Sequence, residues 1–357
     1  MKKERLIFID FARTLAALFM VWVHVLGLHS NHQVQTSWFG GIINFLGSPP
    51  AAPVFMLAMG TSFTISNKGA ITTNLKRGFT IFAKGYYLNF LRILIPAIII
   101  VILESIGYGT LHDTLANQID TKSSLIENLL VIDILQFAGL AYIFISLLSY
   151  FKLNKTYILF TLIAIITFVS PMLWGLKTDY QLINRILDLL WGNNGESTSF
   201  PFFPWIIYPL LGIILGDLYQ AHAKNLNIAF KISILWSIIP IIAGIILVTR
   251  NPSFHLGDYW RTGPGGILLY SGGITVWLYI CYLITLKSSK WITEKSLFIS
   301  KYITSFYFTQ WLLITAMVGI IGENKCNLLS SILMMIIITF LSYWITNLSN
   351  RRKDKNN

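Results

Sequence analysis

Three ionisable residues in the first apolar segment are the ones whose types and spacing could do chemistry. Asp10, Arg13 and His24 interrupt a run that is otherwise hydrophobic from Leu6 to Leu26. At 100° per residue, Arg13 and His24 differ by three turns plus about 20°, and Asp10 lies about 60° from Arg13. We therefore expect all three side chains to share one face of a helix. Charged groups inside a bilayer are costly and usually face a cavity or a partner, so this face is a candidate functional site.

The helical rise also sets the depth of each residue. His24 lies about 27 Å into the segment and about 16 Å beyond Arg13. Asp10 is about 21 Å from His24, which is too far for contact. We expect Asp10 instead to pair with Arg13 at i, i+3 and to hold it in place.

The composition indicates that this helix lies in a membrane. Of the 357 residues, 55% are hydrophobic and 12% charged, and the mean hydropathy is +0.64, whereas soluble domains carry about 25% charged residues. The net charge of +12 does not indicate nucleic-acid binding, because the basic residues lie mostly in short loops between apolar runs. Two cysteines, and histidines with no carboxylate or cysteine nearby, predict neither a disulfide framework nor a metal site.

Stretches of about 20 mostly apolar residues predict ten transmembrane helices. We expect an all-α polytopic membrane bundle that forms one integral membrane domain over residues 1–357. The second span contains Pro49, Pro50 and Pro53 and should be broken or kinked, because interior prolines remove backbone hydrogen bonds. The predicted spans are 6–28, 39–66, 81–103, 127–150, 156–175, 202–219, 231–249, 265–286, 302–321 and 328–348.

Lysine and arginine are concentrated in alternate loops. The enriched loops share the side of the N-terminus, a bias typical of cytoplasmic loops. We therefore expect both termini in the cytoplasm and, for a bacterial source, a location in the plasma (inner) membrane. The longer outer loops would be 104–126, 176–201 and 250–264. The aromatic, amide and glycine residues of the last two suit a polyhydroxylated or peptidic acceptor, and equally suit ordinary connections.

Several motifs carry a resemblance to known proteins. The first span, Ile9-DFARTLAALFMVWVH-Val25, has an arginine and a histidine separated by ten residues. Four further segments match in pattern: Pro49-PAAPVFMLAMGTSF-Thr64, Phe82-AKGYYLNFLRILI-Pro96, Asp133-ILQFAGLAYI-Phe144 and Phe200-PFFPWIIYPLLGIILG-Asp217. Together they resemble the transmembrane acyltransferase superfamily. Its members include the acyltransferase-3 family and the heparan-α-glucosaminide N-acetyltransferase family with its bacterial relatives.

The resemblance implies transfer of an acyl group, usually acetyl, from cytoplasmic acyl-CoA to a sugar or glycan acceptor at the outer face. His24 would act as a base or as an acyl-carrying nucleophile, and both routes stay open. Arg13 would bind donor phosphates or stabilise negative charge, with Asp10 holding it. The residues expected to bind the donor are Arg92, Lys76, Arg77, Lys84 and Gln136.

Two other classes of protein remain as alternatives. A transporter or flippase of a small solute or lipid-linked sugar could use the polar face of Asp10, Arg13 and His24 as its path. Transporters typically show paired repeats with matched broken helices, and the sequence predicts a single broken span. A membrane scaffold is the other alternative, and it would not need His24 and Arg13 on one face.

Overall fold

The computed structural model describes residues 5–66, 69–106, 128–192 and 198–354. In these ranges the regular elements are helices, which confirms the all-α prediction, and two isolated β-bridges join Ser30 to Cys326 and Ile132 to Thr198. Most of the predicted outer loop 104–126, and residues 193–197 of the next one, lie outside the described residues.

The helices are numbered in chain order. They are α1 (Ile7–His29), α2 (His32–Gln35), α3 (Trp38–Gly47), α4 (Ala52–Ile65), α5 (Ile71–Ser105), α6 (Ile134–Tyr150), α7 (Thr156–Val169), α8 (Gln181–Trp191), α9 (Phe202–Trp205), α10 (Ile207–Ala221), α11 (Leu226–Arg250), α12 (Pro252–Leu256), α13 (Pro264–Lys287), α14 (Lys290–Lys301), α15 (Ile303–Ile321) and α16 (Leu328–Asp354). A 3₁₀ turn, Ser170–Leu173, follows α7.

Nine segments of the described chain are long and apolar enough to cross a membrane. The second predicted span is broken as expected: α3 ends at Gly47 and α4 begins at Ala52, with two of the prolines between them. The fourth is a shorter apolar helix, α6, which begins at Ile134 because Asp133 caps it. The third begins at Ile71, ten residues before the predicted start, because a helix can continue through polar residues that a hydropathy criterion leaves out.

The described residues form two compact units. Unit 1 is drawn from Met1–Ala12, Ala52–Gly85 and Val131–Lys287. Unit 2 is drawn from Arg13–Ala51, Tyr86–Leu130 and Ser288–Asn357.

In unit 1, α4 and α10 approach closely through small residues. A Cβ added at Gly212 would overlap the Leu57 carbonyl, and one at Gly60 would overlap the Pro209 carbonyl. Thr61 donates from Oγ1 to the Gly212 carbonyl at 3.0 Å. Small residues that let backbones approach are the usual basis of helix packing in membranes.

In unit 2, an apolar cluster joins α1 to α15 and α16. Ala17, Val21 and Val25 of α1 pack in one cluster with Phe306 and Ile314 of α15. At the end of α1 the backbone is held directly, because the Cys326 N–H donates to the His29 carbonyl at 2.8 Å and the Asn31 N–H donates to the Cys326 carbonyl at 2.8 Å. The second half of α1 is therefore fixed along its length.

Candidate functional site

The His24 ring contacts a tryptophan that also contacts an arginine. The ring centroids of His24 and Trp311 are 4.2 Å apart with the planes tilted by 34°. The Arg92 guanidinium carbon lies 3.4 Å from the centroid of the Trp311 ring. All three residues belong to unit 2. Arginine over an aromatic face is a favourable cation–π contact, and the planar guanidinium stacks well on such a face, so one indole contacts both a cation and the imidazole.

The register of α1 against α15 explains why these residues meet. His24 contacts Trp311, and five residues later His29 places Nε2 3.1 Å from the Ile314 carbonyl. Both contacts advance in the same chain direction, so the two helices run parallel at this point. His29, one residue beyond the predicted first span 6–28, is the last residue of α1 and is fully buried.

Arg13 lies nearer the start of α1 and contacts α14. Its Nη1 donates to Ser300 Oγ at 3.4 Å, a long hydrogen bond. The neighbouring Thr14 donates from Oγ1 to the Ser296 carbonyl at 2.9 Å. These two bonds attach this part of α1 to α14 within unit 2, and they give the Arg13 side chain a defined position.

Asp10 has an ion-pair partner that the sequence reasoning did not consider. Its Oδ2 accepts a hydrogen bond from Arg5 Nε at 2.7 Å. That hydrogen bond to Asp10 raises the pKa of the Arg5 guanidinium above its usual value. Arg5 precedes the helix, so no i, i+3 or i, i+4 rule identifies it. Asp10 also lies in the first turn of α1, where the helix dipole favours a negative charge.

Three of the basic residues expected to bind the donor lie on the part of α5 that belongs to unit 1. Lys76, Arg77 and Lys84 are exposed. Arg77 stacks over the Tyr142 ring at 5.0 Å and donates from Nη1 to the Tyr142 hydroxyl at 3.4 Å. Exposed cations along one helix are compatible with phosphate binding, and that role remains a prediction.

Gln136, the fifth candidate for donor binding, caps α6. Its Oε1 accepts from the Asp133 N–H at 3.1 Å and its Nε2 donates to the Val131 carbonyl at 3.1 Å. Together with the Asp133 carboxylate, which accepts from the backbone of the first turn, this forms a capping box. Both amide atoms of Gln136 are thus engaged by backbone groups, and its contact with a donor also remains a prediction.

Two neighbouring residues of α15 were not identified from the sequence. Trp311 contacts both His24 and Arg92, and Gln310, next to it, is fully buried. A glutamine in the middle of an apolar span is a signal that could have found this position, since polar residues inside membrane helices usually have a specific role. Tryptophan carries no such signal, because interfacial tryptophans are common in membrane proteins.

The third predicted outer loop contains a histidine with a definite partner. His255 of α12 is buried, and its Nδ1 accepts from the Gly265 N–H at 3.1 Å. Burial lowers the pKa of His255 below its ordinary value. Nearby, Trp205 donates from Nε1 to the Trp260 carbonyl at 2.8 Å, and Phe200 packs edge-on against both indoles. The loop is therefore a packed aromatic structure within unit 1.

Comparison with known proteins gives one family. The family described as "Heparan-alpha-glucosaminide N-acetyltransferase, catalytic" matches residues 5–246, about two thirds of the chain. No curated protein matches the chain significantly. The matched range contains Asp10, Arg13, His24 and Arg92, whereas Gln310 and Trp311 lie beyond its end.

Proposed function

Because the chain belongs to the heparan-alpha-glucosaminide N-acetyltransferase family, we propose that it transfers an acetyl group from acetyl-CoA to a sugar or glycan acceptor. Family membership and the nine apolar segments of the described chain support a multi-pass membrane acetyltransferase. The identity of donor and acceptor, the choice between an amide and an ester product, and the role of His24 are our proposals.

One observation carries the assignment of His24. The His24 ring and the Arg92 guanidinium contact the same indole of unit 2, at 4.2 Å and 3.4 Å. Acyl transfer needs a base near neutral pKa and a positive charge where the carbonyl oxygen becomes negative. The imidazole supplies the base and the guanidinium supplies the charge. Neither a transporter path nor a scaffold requires these two groups to contact one indole.

In the direct route, His24 removes the proton from the acceptor amine or hydroxyl as that nitrogen or oxygen attacks the thioester carbonyl. The tetrahedral oxyanion is stabilised by the Arg92 charge. The C–S bond then breaks, and the leaving thiolate takes the proton from the imidazolium. In the covalent route, one imidazole nitrogen attacks the thioester, the C–S bond breaks, and CoA leaves as the thiol with the proton from the other ring nitrogen. The acceptor then attacks the acetyl-imidazole, the C–N bond to His24 breaks, and the acceptor's proton returns to the ring.

The donor is proposed to enter from the cytoplasm and the acceptor from the outer face. The basic residues of the predicted inner loops, including Lys76 and Arg77, support that direction because they would attract the anionic nucleotide. The same bias supports both termini in the cytoplasm and, for a bacterial source, the plasma membrane. Arg13, positioned by Ser300, is proposed to bind the donor at a level nearer the cytoplasm than His24.

The test is acetyl-CoA turnover by purified protein in lipid nanodiscs, with glucosamine as the acceptor probe. We expect CoA release in the wild type and a loss of about 10²-fold or more in His24→Ala. His32→Ala is the matched control, because His32 is an exposed histidine eight residues further along, and it should keep full activity. Equal activity in wild type and His24→Ala would contradict the role of His24, and no turnover with any acyl-CoA and acceptor would contradict the function.

Two further readouts distinguish the type of product and the route of transfer. A product that is hydrolysed by base is an ester, and a product that is stable to base is an amide. Acetyl label that remains on the wild-type protein without acceptor, and is absent from His24→Ala, indicates the covalent route.

A further inference from the structure

Gln310 is a fully buried amide in the middle of α15. Its side chain has no exposed surface, and neither Nε2 nor Oε1 has a hydrogen-bond partner among the residues that the structure describes. Buried amides are nearly always paired, because an unmade hydrogen bond in an apolar setting is costly. Gln310 therefore offers one acceptor and a pair of donor hydrogens that the described chain does not use.

The position of Gln310 places this amide at the level of His24. Trp311 contacts the His24 ring, and Gln310 precedes Trp311 by about 1.5 Å of helical rise. Phe306 and Ile314, four residues to either side of Gln310, both pack in the apolar cluster with α1. Residues at i±4 share a helix face, so Gln310 lies on the face of α15 that is turned towards α1.

Trp311 gives a second, independent observation. Its indole Nε1 is buried and also has no hydrogen-bond partner among the described residues. The ring of the same residue holds His24 and Arg92. Two adjacent residues of α15 thus present hydrogen-bond donors, and one of them an acceptor, at the level of the imidazole.

We propose that Gln310 and Trp311 bind the amide groups of the pantetheine arm of the acyl donor. This inference rests on the proposed function. The arm consists of methylenes, a dimethyl-substituted carbon, one hydroxyl and two secondary amides, and each amide offers a carbonyl acceptor and an N–H donor. It therefore matches an apolar face with few polar groups.

A sugar ring fits the same surroundings poorly. It carries several hydroxyls, and most of them would be buried without partners beside Phe306 and Ile314, which are apolar. Gln310 consequently selects donors by their amides and has no part in binding the acceptor.

The experiment compares wild type with Gln310→Met, an unbranched replacement of similar size without hydrogen-bonding groups. Three donors are used: acetyl-CoA, S-acetyl-N-acetylcysteamine, which keeps one amide, and S-ethyl thioacetate, which has none. We expect Gln310→Met to raise the KM for acetyl-CoA by about tenfold, the change that follows from losing a hydrogen bond. The KM for the acceptor should stay the same, and the two proteins should have equal kcat/KM on S-ethyl thioacetate.

Thr315→Val is the matched control. Thr315 is a buried polar residue of the same helix whose hydroxyl donates to the Trp311 carbonyl within α15, so its loss should leave the KM of every donor unchanged. Two results would overturn the proposal: a kcat/KM that Gln310→Met lowers equally for all three donors, or a raised KM for the acceptor. In either case Gln310 would contact the reacting carbonyl or the acceptor.

A measurement on the wild type alone keeps the proposal testable if the variant does not fold. Replacing the amide of S-acetyl-N-acetylcysteamine by an ester removes only the N–H donor. We expect kcat/KM to fall by about tenfold, and an unchanged value overturns the proposal. Wild-type turnover with equal kinetics in Gln310→Met would refute the role of Gln310 alone, whereas no turnover of any thioester would refute the proposed function itself.

Discussion

Two glutamines, one in each unit, have the same burial and opposite surroundings. Gln136 and Gln310 are both fully buried. The amide of Gln136 is engaged by the Asp133 N–H and the Val131 carbonyl, whereas the amide of Gln310 has no hydrogen-bond partner in the described part of the chain. Burial alone therefore does not separate a structural polar residue from one that serves a ligand, and the partners do.

The difference follows from where each residue lies in its helix. Gln136 is the third residue of α6, and the first turn of a helix has backbone N–H groups without intrahelical partners, so a side chain there finds a local role. Gln310 lies in the middle of α15, where backbone groups bond to one another. A polar side chain at such a position depends on another helix or on a ligand.

The largest effect on stability is expected at Gln136. Replacing it by Met removes both capping bonds from a buried site and should lower the free energy of unfolding by about 2–3 kcal/mol. Gln310→Met should cost nothing or raise stability by about 1 kcal/mol, because it removes an unpaired buried amide. Denaturant titration of both variants in detergent micelles measures the two changes. Equal destabilisation by the two substitutions would contradict the prediction that the amide of Gln136 stabilises the fold and that of Gln310 does not.

The helical architecture could be predicted from the sequence, because a bilayer demands apolar segments of a set length. The start of α6 could not, since a hydropathy window does not detect the Asp133 cap. Within the site, α1 is continuous from Ile7 to His29, so the rotation and rise of a regular helix relate Arg13 to His24. The contact of His24 with Trp311 joins residues far apart in the chain, and no local pattern predicts such a contact.

A smaller effect on the free energy of unfolding is expected at Gly85, where the backbone of α5 lies against Gln136. A Cβ added there would meet Gln136 Cδ at 2.5 Å. Gln136 cannot turn away, because both of its amide atoms are bonded. Gly85→Ala should therefore lower the free energy of unfolding by about 1–2 kcal/mol, measured by the same titration.

The Gly85 effect should depend on Gln136. In a Gln136→Ala background the clash disappears, so Gly85→Ala should leave the free energy of unfolding nearly unchanged. A double-mutant cycle measures this coupling. Gly41→Ala is the control, because a Cβ at that helical glycine meets nothing within 4 Å and should be neutral or stabilising. A cost at Gly85 that persists without the Gln136 side chain would show that backbone strain, and not the fixed amide, is its cause.

The smallest effect on stability is expected at His255, a third buried polar side chain, which like Gln136 has a local partner. Its Nδ1 accepts from the Gly265 N–H, so only the neutral ring keeps this bond, and burial lowers the pKa of His255 in the folded state. The unfolded chain, with a histidine pKa of about 6.5, therefore binds a proton first as the pH falls. The stabilisation from neutral His255 is complete above about pH 6.5 and is lost progressively below it, towards the lower folded pKa.

The variant His255→Asn isolates this contribution, because an asparagine oxygen can accept the same Gly265 N–H and does not titrate. Between pH 7.5 and 5.5 the wild type should lose more thermal stability than the variant, in a nanodisc melting experiment at each pH. Other histidines titrate equally in both proteins, so they cancel in the comparison. Identical pH dependence would mean that His255 is protonated as readily in the folded chain as in the unfolded one. The Gly265 bond would then not hold the ring neutral, and a local partner such as the one that fixes Gln136 would be insufficient to set the charge state of a buried side chain.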